Sequence, residues 1–328
     1  DGLGGIYEQG SSYHLAKVTQ TPIILVVDAK GMGKSVLALI AGFLQYDTQH
    51  LIKGVLLNRM SKGYYDIIKP LIEKELSVKV VGYFPEQKDI RLESRHLGLV
   101  MPDELADIKE QLDELAGRLK KTIDLDMLLD IAVEAEEISD SGNADIYNVK
   151  NIGNYDQNEF SQNKAINTVN IAVAMDEAFC FYYEDNLRLL EKCGAKLQYF
   201  SPLHDTKLPD NCDALLLGGG YPELYAKELS ENLSMRNSIK TAFKTGLPTV
   251  AECGGFMYLH TYIHNICEED ADAQNYVFGM TGALDSECHF KGKLVRFGYI
   301  ELAEKHSNFL PPNEKIKAHE FHYYDSTD

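Results

Sequence analysis

Leu215-Leu-Leu-Gly-Gly-Gly-Tyr-Pro-Glu223 and Pro248-Thr-Val-Ala-Glu-Cys-Gly-Gly-Phe256 decide how this chain is read. The second stretch is a short apolar strand that runs into a single cysteine at a glycine-flanked turn, before an apolar helix that begins near Phe256-Met-Tyr-Leu259. A strand-to-helix elbow of this kind aims its side chain out of the sheet, and the N–H groups that open the next helix stabilise a thiolate or an oxyanion. Such an elbow needs small residues two before and two after the nucleophile, here Ala251 and Gly255. An isolated free cysteine is usually a small buried hydrophobe. The flanking glycines and the second glycine-rich strand end, Gly218-Gly-Gly220, make Cys253 a nucleophile instead. Backbone N–H groups at Gly219 or Gly220, together with that of Gly254, are the oxyanion-hole candidates.

Working outward, Thr168-Val-Asn-Ile-Ala-Val-Ala174 predicts a buried strand, followed by a helix to Cys193 that Gly194 stops. Strands at Lys196 to Phe200, Asp213 to Leu217 and Leu247 to Glu252 follow, with one long helix expected over 222–245. From Asn275 on, shorter alternating segments suggest edge or antiparallel strands. The first half repeats the architecture without the motifs. Thr21-Pro-Ile-Ile-Leu-Val-Val-Asp28, Lys53-Gly-Val-Leu-Leu-Asn58 and Val78 to Tyr83 predict buried parallel strands, with helices over 12–20, 34–46, 63–75, 103–120 and 125–137. Between Ser139 and Lys164 the chain turns to Asn, Asp, Ser, Gly and Gln, the composition of a linker. The expectation is therefore α/β with two domains, 1–140 and 166–328, joined by a linker over 141–165, each a mainly parallel sheet flanked by helices.

Bulk properties narrow the function. A chain of 328 residues accommodates two cores. Its formal net charge of -18 argues against a nucleic-acid surface, and no apolar run approaches the roughly 20 residues of a membrane helix. Six cysteines are scattered without a CxxC pair, so they read as reduced and the protein as cytoplasmic. The chain opens Asp1-Gly-Leu-Gly-Gly without a Met, which suggests a piece of a longer protein.

A nucleophilic cysteine needs a base. His260, His264, His289, His306, His319 and His322 all follow Cys253. His260 and His264 are expected on the helix after the cysteine, too far along it to turn back. In Lys317-Ala-His-Glu-Phe-His-Tyr-Tyr324, strand alternation puts Glu320 and His322 on one face and His319 and Phe321 on the other. One of the two histidines can face the thiol, and the pattern leaves the choice open.

Together, GGGYPE at 218–223, AECGGFMYL at 251–259 and HEFHY at 319–323 resemble the cobyrinic acid a,c-diamide synthase family, whose C-terminal half is a class I glutamine amidotransferase. Leu25-Val-Val-Asp-Ala-Lys-Gly-Met32 with Ser35, Gly54-Val-Leu-Leu-Asn58 and Arg95-His-Leu-Gly-Leu99 resemble segments of that family's ATP-dependent synthetase domain, which has a dethiobiotin-synthetase-like fold of the P-loop type. The resemblance implies Cys253 as nucleophile and His322 as base. Class I amidotransferases usually carry a glutamate two residues after that histidine; here the position is Tyr324, so a Cys/His dyad is expected. It further implies ATP and Mg2+ as cofactors, L-glutamine as nitrogen donor and the a and c acetate carboxylates of cobyrinic acid as acceptors.

Two stretches of the first half invite assignment. Asp28-Ala-Lys-Gly-Met-Gly-Lys-Ser35 nearly spells a phosphate loop, making Lys34 and Ser35 nucleotide candidates, but Asp28 stands where the first glycine belongs. A carboxylate there repels phosphate, so the match is read as chance, with the family's ATP loop expected upstream of residue 1. Arg95 and His96 are substrate-binding candidates, since a guanidinium holds corrin carboxylates bidentately. The weighed alternatives are the same chemistry on another tetrapyrrole, hydrogenobyrinic acid or nickel-sirohydrochlorin, and a non-catalytic fragment that binds tetrapyrrole or glutamine.

Overall fold

A computed structural model of the chain describes residues 8–87, 94–95, 98–99, 107–135, 137, 168–266, 275–304, 310 and 312–327. It divides into two compact units, Asp1–Ser141 and Gly142–Asp328. The 141–165 linker and His96 lie outside the described residues, and of Arg95 only the backbone is described.

In the first unit, α1 (Ser12–Thr19) leads to β1 (Ile23–Asp28), α2 (Ser35–Tyr46), β2 (Ile52–Asn58), α3 (Lys62–Leu76) and β3 (Lys79–Phe84). The three strands form a parallel sheet in the order β1-β2-β3, with Leu25 opposite Val55 and Leu57 opposite Tyr83. Their aliphatic and β-branched runs suit a sheet covered by helices. Val55, Leu57 and Val80 pack with Val36 and Ile40 of α2 and Ile72 of α3. Buried Asp47 fixes the turn between α2 and β2. Its carboxylate accepts from the N–H groups of Leu51 at 3.0 Å and Ile52 at 2.7 Å and from the Tyr13 hydroxyl at 2.9 Å. Ser94–Arg95 (β4) and Gly98–Leu99 (β5) make a small antiparallel pair. Then come α4 (Ile108–Thr122) and α5 (Leu125–Val133), the latter capped by Asp124 accepting from the N–H of Met127.

In the second unit, β6 (Val169–Ala174), α6 (Glu184–Lys192), β7 (Ala195–Phe200), β8 (Ala214–Leu217) and β9 (Thr249–Ala251) build a parallel sheet in the order β7-β6-β8-β9. Gly194 ends α6 as expected, with φ 97°. The long helix expected over 222–245 is in fact three pieces. A 3-10 turn (Pro222–Tyr225) leads into α7 (Ala226–Glu231), and α8 (Leu233–Lys244) starts afresh. Asn232 causes the second break, because its side chain accepts from the N–H of Met235 as an N-cap and so competes with continuous helix.

After Cys253, α9 (Gly254–Leu259) lasts only six residues. His260 is its C-cap, and His264 lies on β10 (Tyr262–Ile266), not on the helix where it was expected. The β-branched and aromatic Thr261-Tyr-Ile263 run favours strand over helix there. β10 sits in a second sheet, of order β11-β10-β12-β15, with β11 (Asn275–Gly279), β12 (Glu287–Phe290) and β15 (Tyr324–Ser326). Its pairs are antiparallel except β10 with β12, which run parallel and depart from the antiparallel expectation. β13 (Arg296–Ala303) and β14 (Lys315–His322) form a separate antiparallel ribbon.

Candidate active site

Cys253 stands beyond β9, after one intervening residue, and is the N-cap of α9. It has φ 48° and ψ -113°, a left-handed conformation that a side chain disfavours and that aims the thiol away from the sheet. The glycines around it are forced by contact. A Cβ on Gly255 would stand 2.2 Å from the carbonyl oxygen of Leu217, and one on Gly220 would stand 2.1 Å from that of Ala178. On Gly254 it would meet the Pro222 ring at 2.7 Å and the nitrogen of Gly220 at 3.2 Å. Cys253 is solvent-accessible, yet protein packed around the rest of the thiol pushes its pKa up. The N–H groups of Gly254 and Gly220 pull it back part of the way. These two donors therefore converge on the thiol. Gly219 instead turns its carbonyl to the N–H groups of Cys180 and Phe181, both at 3.1 Å, and lies against the Cys253 Cβ.

Tyr182 holds the glycine strand end from behind. Its hydroxyl donates to the carbonyl of Ala174 at 2.6 Å and accepts from the N–H of Gly218 at 2.7 Å. Burial pushes its pKa well up, so the phenol stays protonated.

His322 ends β14. Its Nδ1 lies 2.6 Å from the main-chain carbonyl of Tyr324. Because a carbonyl only accepts, the proton of that bond is on Nδ1, which leaves Nε2 as the basic nitrogen. Among the described residues no hydrogen bond joins Cys253 to either histidine of the ribbon. His319 is on the opposite face, exposed, in ring contact with Phe297 and Tyr299 at 6.0 and 5.4 Å. His260 is buried and bonded to the Phe256 carbonyl and the Ser326 hydroxyl, both at 2.8 Å.

Asn265 escaped the sequence reading. Its Nδ2 donates to the carbonyl of Glu223 at 2.9 Å, and its Oδ1 accepts from the Tyr324 hydroxyl at 2.6 Å. One amide thus ties the turn after Gly218-Gly-Gly220 to the strand whose carbonyl orients His322. The vacant glutamate position at Tyr324 was the available signal for that strand; nothing in the sequence pointed to Asn265.

In the first unit the Asp28–Ser35 loop does not fit a triphosphate. Asp28 is ion-paired with Arg59, which holds its carboxyl below the usual range, and Lys34 Nζ donates to Glu75 at 3.1 Å. The cation that a phosphate would need is engaged by a carboxylate, and a second carboxylate stands at the mouth.

A parallel α/β unit with a strained cysteine between two glycine N–H donors defines a thiol-elbow architecture, and residues 170–327 match the CobB/CobQ-like glutamine amidotransferase domain. Over 98% of its length the chain is 39% identical to the cobyrinate a,c-diamide synthase of Caldanaerobacter subterraneus subsp. tengcongensis, covering 68% of that protein. It is 37% identical to the synthase of Clostridium tetani over 97% of the chain and 66% of that protein, and 34% identical to that of Priestia megaterium over 98% and 65%. The chain belongs to the cobyrinate a,c-diamide synthase family, a family of glutamine-dependent, amide-forming ligases, and spans about two thirds of the length of these relatives.

Proposed function

We propose that the second unit releases ammonia from L-glutamine for amidation of the acetate carboxylates of cobyrinic acid in cobalamin biosynthesis. Cys253 Sγ attacks the side-chain amide carbon while its proton passes to Nε2 of His322. The N–H groups of Gly220 and Gly254 stabilise the oxyanion. As the carbon–nitrogen bond breaks, His322 returns the proton to the departing nitrogen, and ammonia leaves a glutamyl thioester. Water, deprotonated by the same imidazole, then hydrolyses the thioester to glutamate and regenerates the thiol.

The observation that carries this reading is the left-handed Cys253 with the N–H groups of Gly220 and Gly254 at its thiol. A dyad is sufficient because the Tyr324 carbonyl does the orienting that a carboxylate does in a triad. Family membership supports activation of the acceptor carboxylate by MgATP. Since the Asp28–Ser35 loop does not fit, no described residue is assigned to ATP or Mg2+, and Lys34 and Ser35 are given no role.

Glutamate formation from L-glutamine tests the proposal. The chain should produce glutamate and ammonia in equal amounts, and Cys253→Ala should reduce this to background. Equal rates in the two proteins would overturn it, and no turnover in either would favour a fragment that binds without reacting.

A further inference from the structure

The sheet that supports the thiol site has two faces. Ile263, Asn265, Cys288, Phe290, Tyr324 and Ser326 alternate onto the face that serves the elbow. The opposite face carries His264, Glu287 and His289, which the amidotransferase chemistry does not use. Glu287 and His289 are two apart on β12 and so share that face, and His264 of β10 is the register partner of His289.

These side chains converge. Glu287 Oε2 lies 2.9 Å from His264 Nε2 and 3.5 Å from His289 Nε2, and one ligand atom from each residue falls within 4.8 Å of the other two. In a tetrahedral zinc site with bonds of about 2.0–2.2 Å, neighbouring ligand atoms stand about 3.3–3.6 Å apart. Glu287 Oε2 can accept from both rings, so the feature that bears on a metal is that both ring nitrogens face one carboxylate oxygen. The imidazole rings stack at 4.0 Å with an interplanar angle of 17°, so an ion held in both ring planes turns at least one ring out of this stack on binding. All three side chains are half-buried, which leaves one side open for a water as fourth ligand. Asp325, the register partner of His289 on β15, adds negative charge to the same face.

The geometry points to His264, Glu287 and His289 as a binding site for Zn2+, independent of the thiol site and clamping β10 to β12. Imidazole and carboxylate donors suit this ion, whereas Mg2+ and Ca2+ prefer oxygen alone.

The test is to titrate EDTA-treated, desalted full-length chain with Zn2+ against a chromophoric chelator. One Zn2+ per chain is expected. Its affinity should fall at least tenfold in His289→Asn and in Glu287→Gln, and stay within twofold of wild type in Cys253→Ser and Cys288→Ala. Zn2+ should also raise the melting temperature of wild type but not of the His264→Gln/His289→Asn pair. Absence of stoichiometric binding to wild type overturns the proposal without reference to any variant, as does binding that survives the paired substitution. Should that variant not fold, the Co2+ complex of wild type decides. A spectrum of nitrogen and oxygen ligation supports the site, and a thiolate-to-cobalt charge-transfer band overturns it.

Discussion

His322 points Nδ1 at the main-chain carbonyl of Tyr324, 2.6 Å away and two residues along the chain. The residue in the position of the usual glutamate therefore contributes its backbone, and the basic Nε2 is selected without a carboxylate. His322→Ala should lower glutamine hydrolysis by about 10²–10⁴-fold, the usual range for a general base. His319→Ala, which removes an exposed ring packed on Phe297 and Tyr299, should change it less than about threefold. Steady-state glutamate release measures both, and the opposite ranking would move the base to His319.

Tyr324→Phe keeps that carbonyl and deletes the hydroxyl bonded to Asn265. The half-satisfied amide should cost about 1–3 kcal/mol of stability in denaturant unfolding. The basic nitrogen is unchanged, so the hydrolysis pH profile should keep its shape. A shifted profile would show that the hydroxyl, and not the carbonyl, sets the base.

Burial raises the Cys253 thiol pKa more than the Gly220 and Gly254 N–H groups lower it. In the absence of glutamine, the rate of alkylation by iodoacetamide should therefore rise with pH to a midpoint above that of an ordinary thiol, about 8.5. A midpoint near neutrality would mean a preformed thiolate and would contradict attack by a neutral thiol that His322 deprotonates.

Asp47 is buried, a cost that raises its pKa, but the Ile52 and Leu51 N–H groups and the Tyr13 hydroxyl outweigh this and hold the carboxyl below its usual value. A depressed folded-state pKa stabilises the fold above the unfolded value, near 3.9, and that contribution is lost as pH falls through the folded value. Asp47→Asn should cost about 1–3 kcal/mol at neutral pH and flatten the acid limb of the stability curve, as read by urea unfolding at several pH values.

Glycine substitutions separate contact from propensity. Gly220→Ala drives a methyl to 2.1 Å from the Ala178 carbonyl oxygen and should both destabilise the fold and abolish hydrolysis. Gly117→Ala, within α4 with nothing inside 4 Å of the new methyl, should stabilise by about 0.5–1 kcal/mol. Thermal melts of the two variants should move in opposite directions.

What could be seen in the sequence was whatever is encoded locally. The apolar runs at 23–28, 52–58 and 169–174 announce parallel strands, and the glycine-flanked Cys253 announces its elbow, but β1 is an edge strand on which only Val27 is buried and Val26 is exposed, not the strand buried on both faces that its apolar run predicts. The single helix over 222–245 fails because Asn232 spends its side chain on a cap, an option that periodicity does not register. The apolar run after Cys253 has no early stop signal and so predicts a helix through His264; the pairing of β10 with β11 and β12 makes the segment a strand. Asn265, Tyr182 and the Glu287 cluster depend on contacts such as Asn265 to Tyr324, Tyr182 to Gly218 and His264 to Glu287, which span 59, 36 and 23 residues of chain. No local pattern carries such contacts.

The left-handed backbone at Cys253 has one further consequence. A residue with a side chain held in that conformation costs of order 1–3 kcal/mol, which the rest of the unit must absorb, and glycine would relieve most of it. Cys253→Gly should therefore be an inert protein that melts later than its parent. At this position the demands of a stable fold and of a reactive thiol pull in opposite directions.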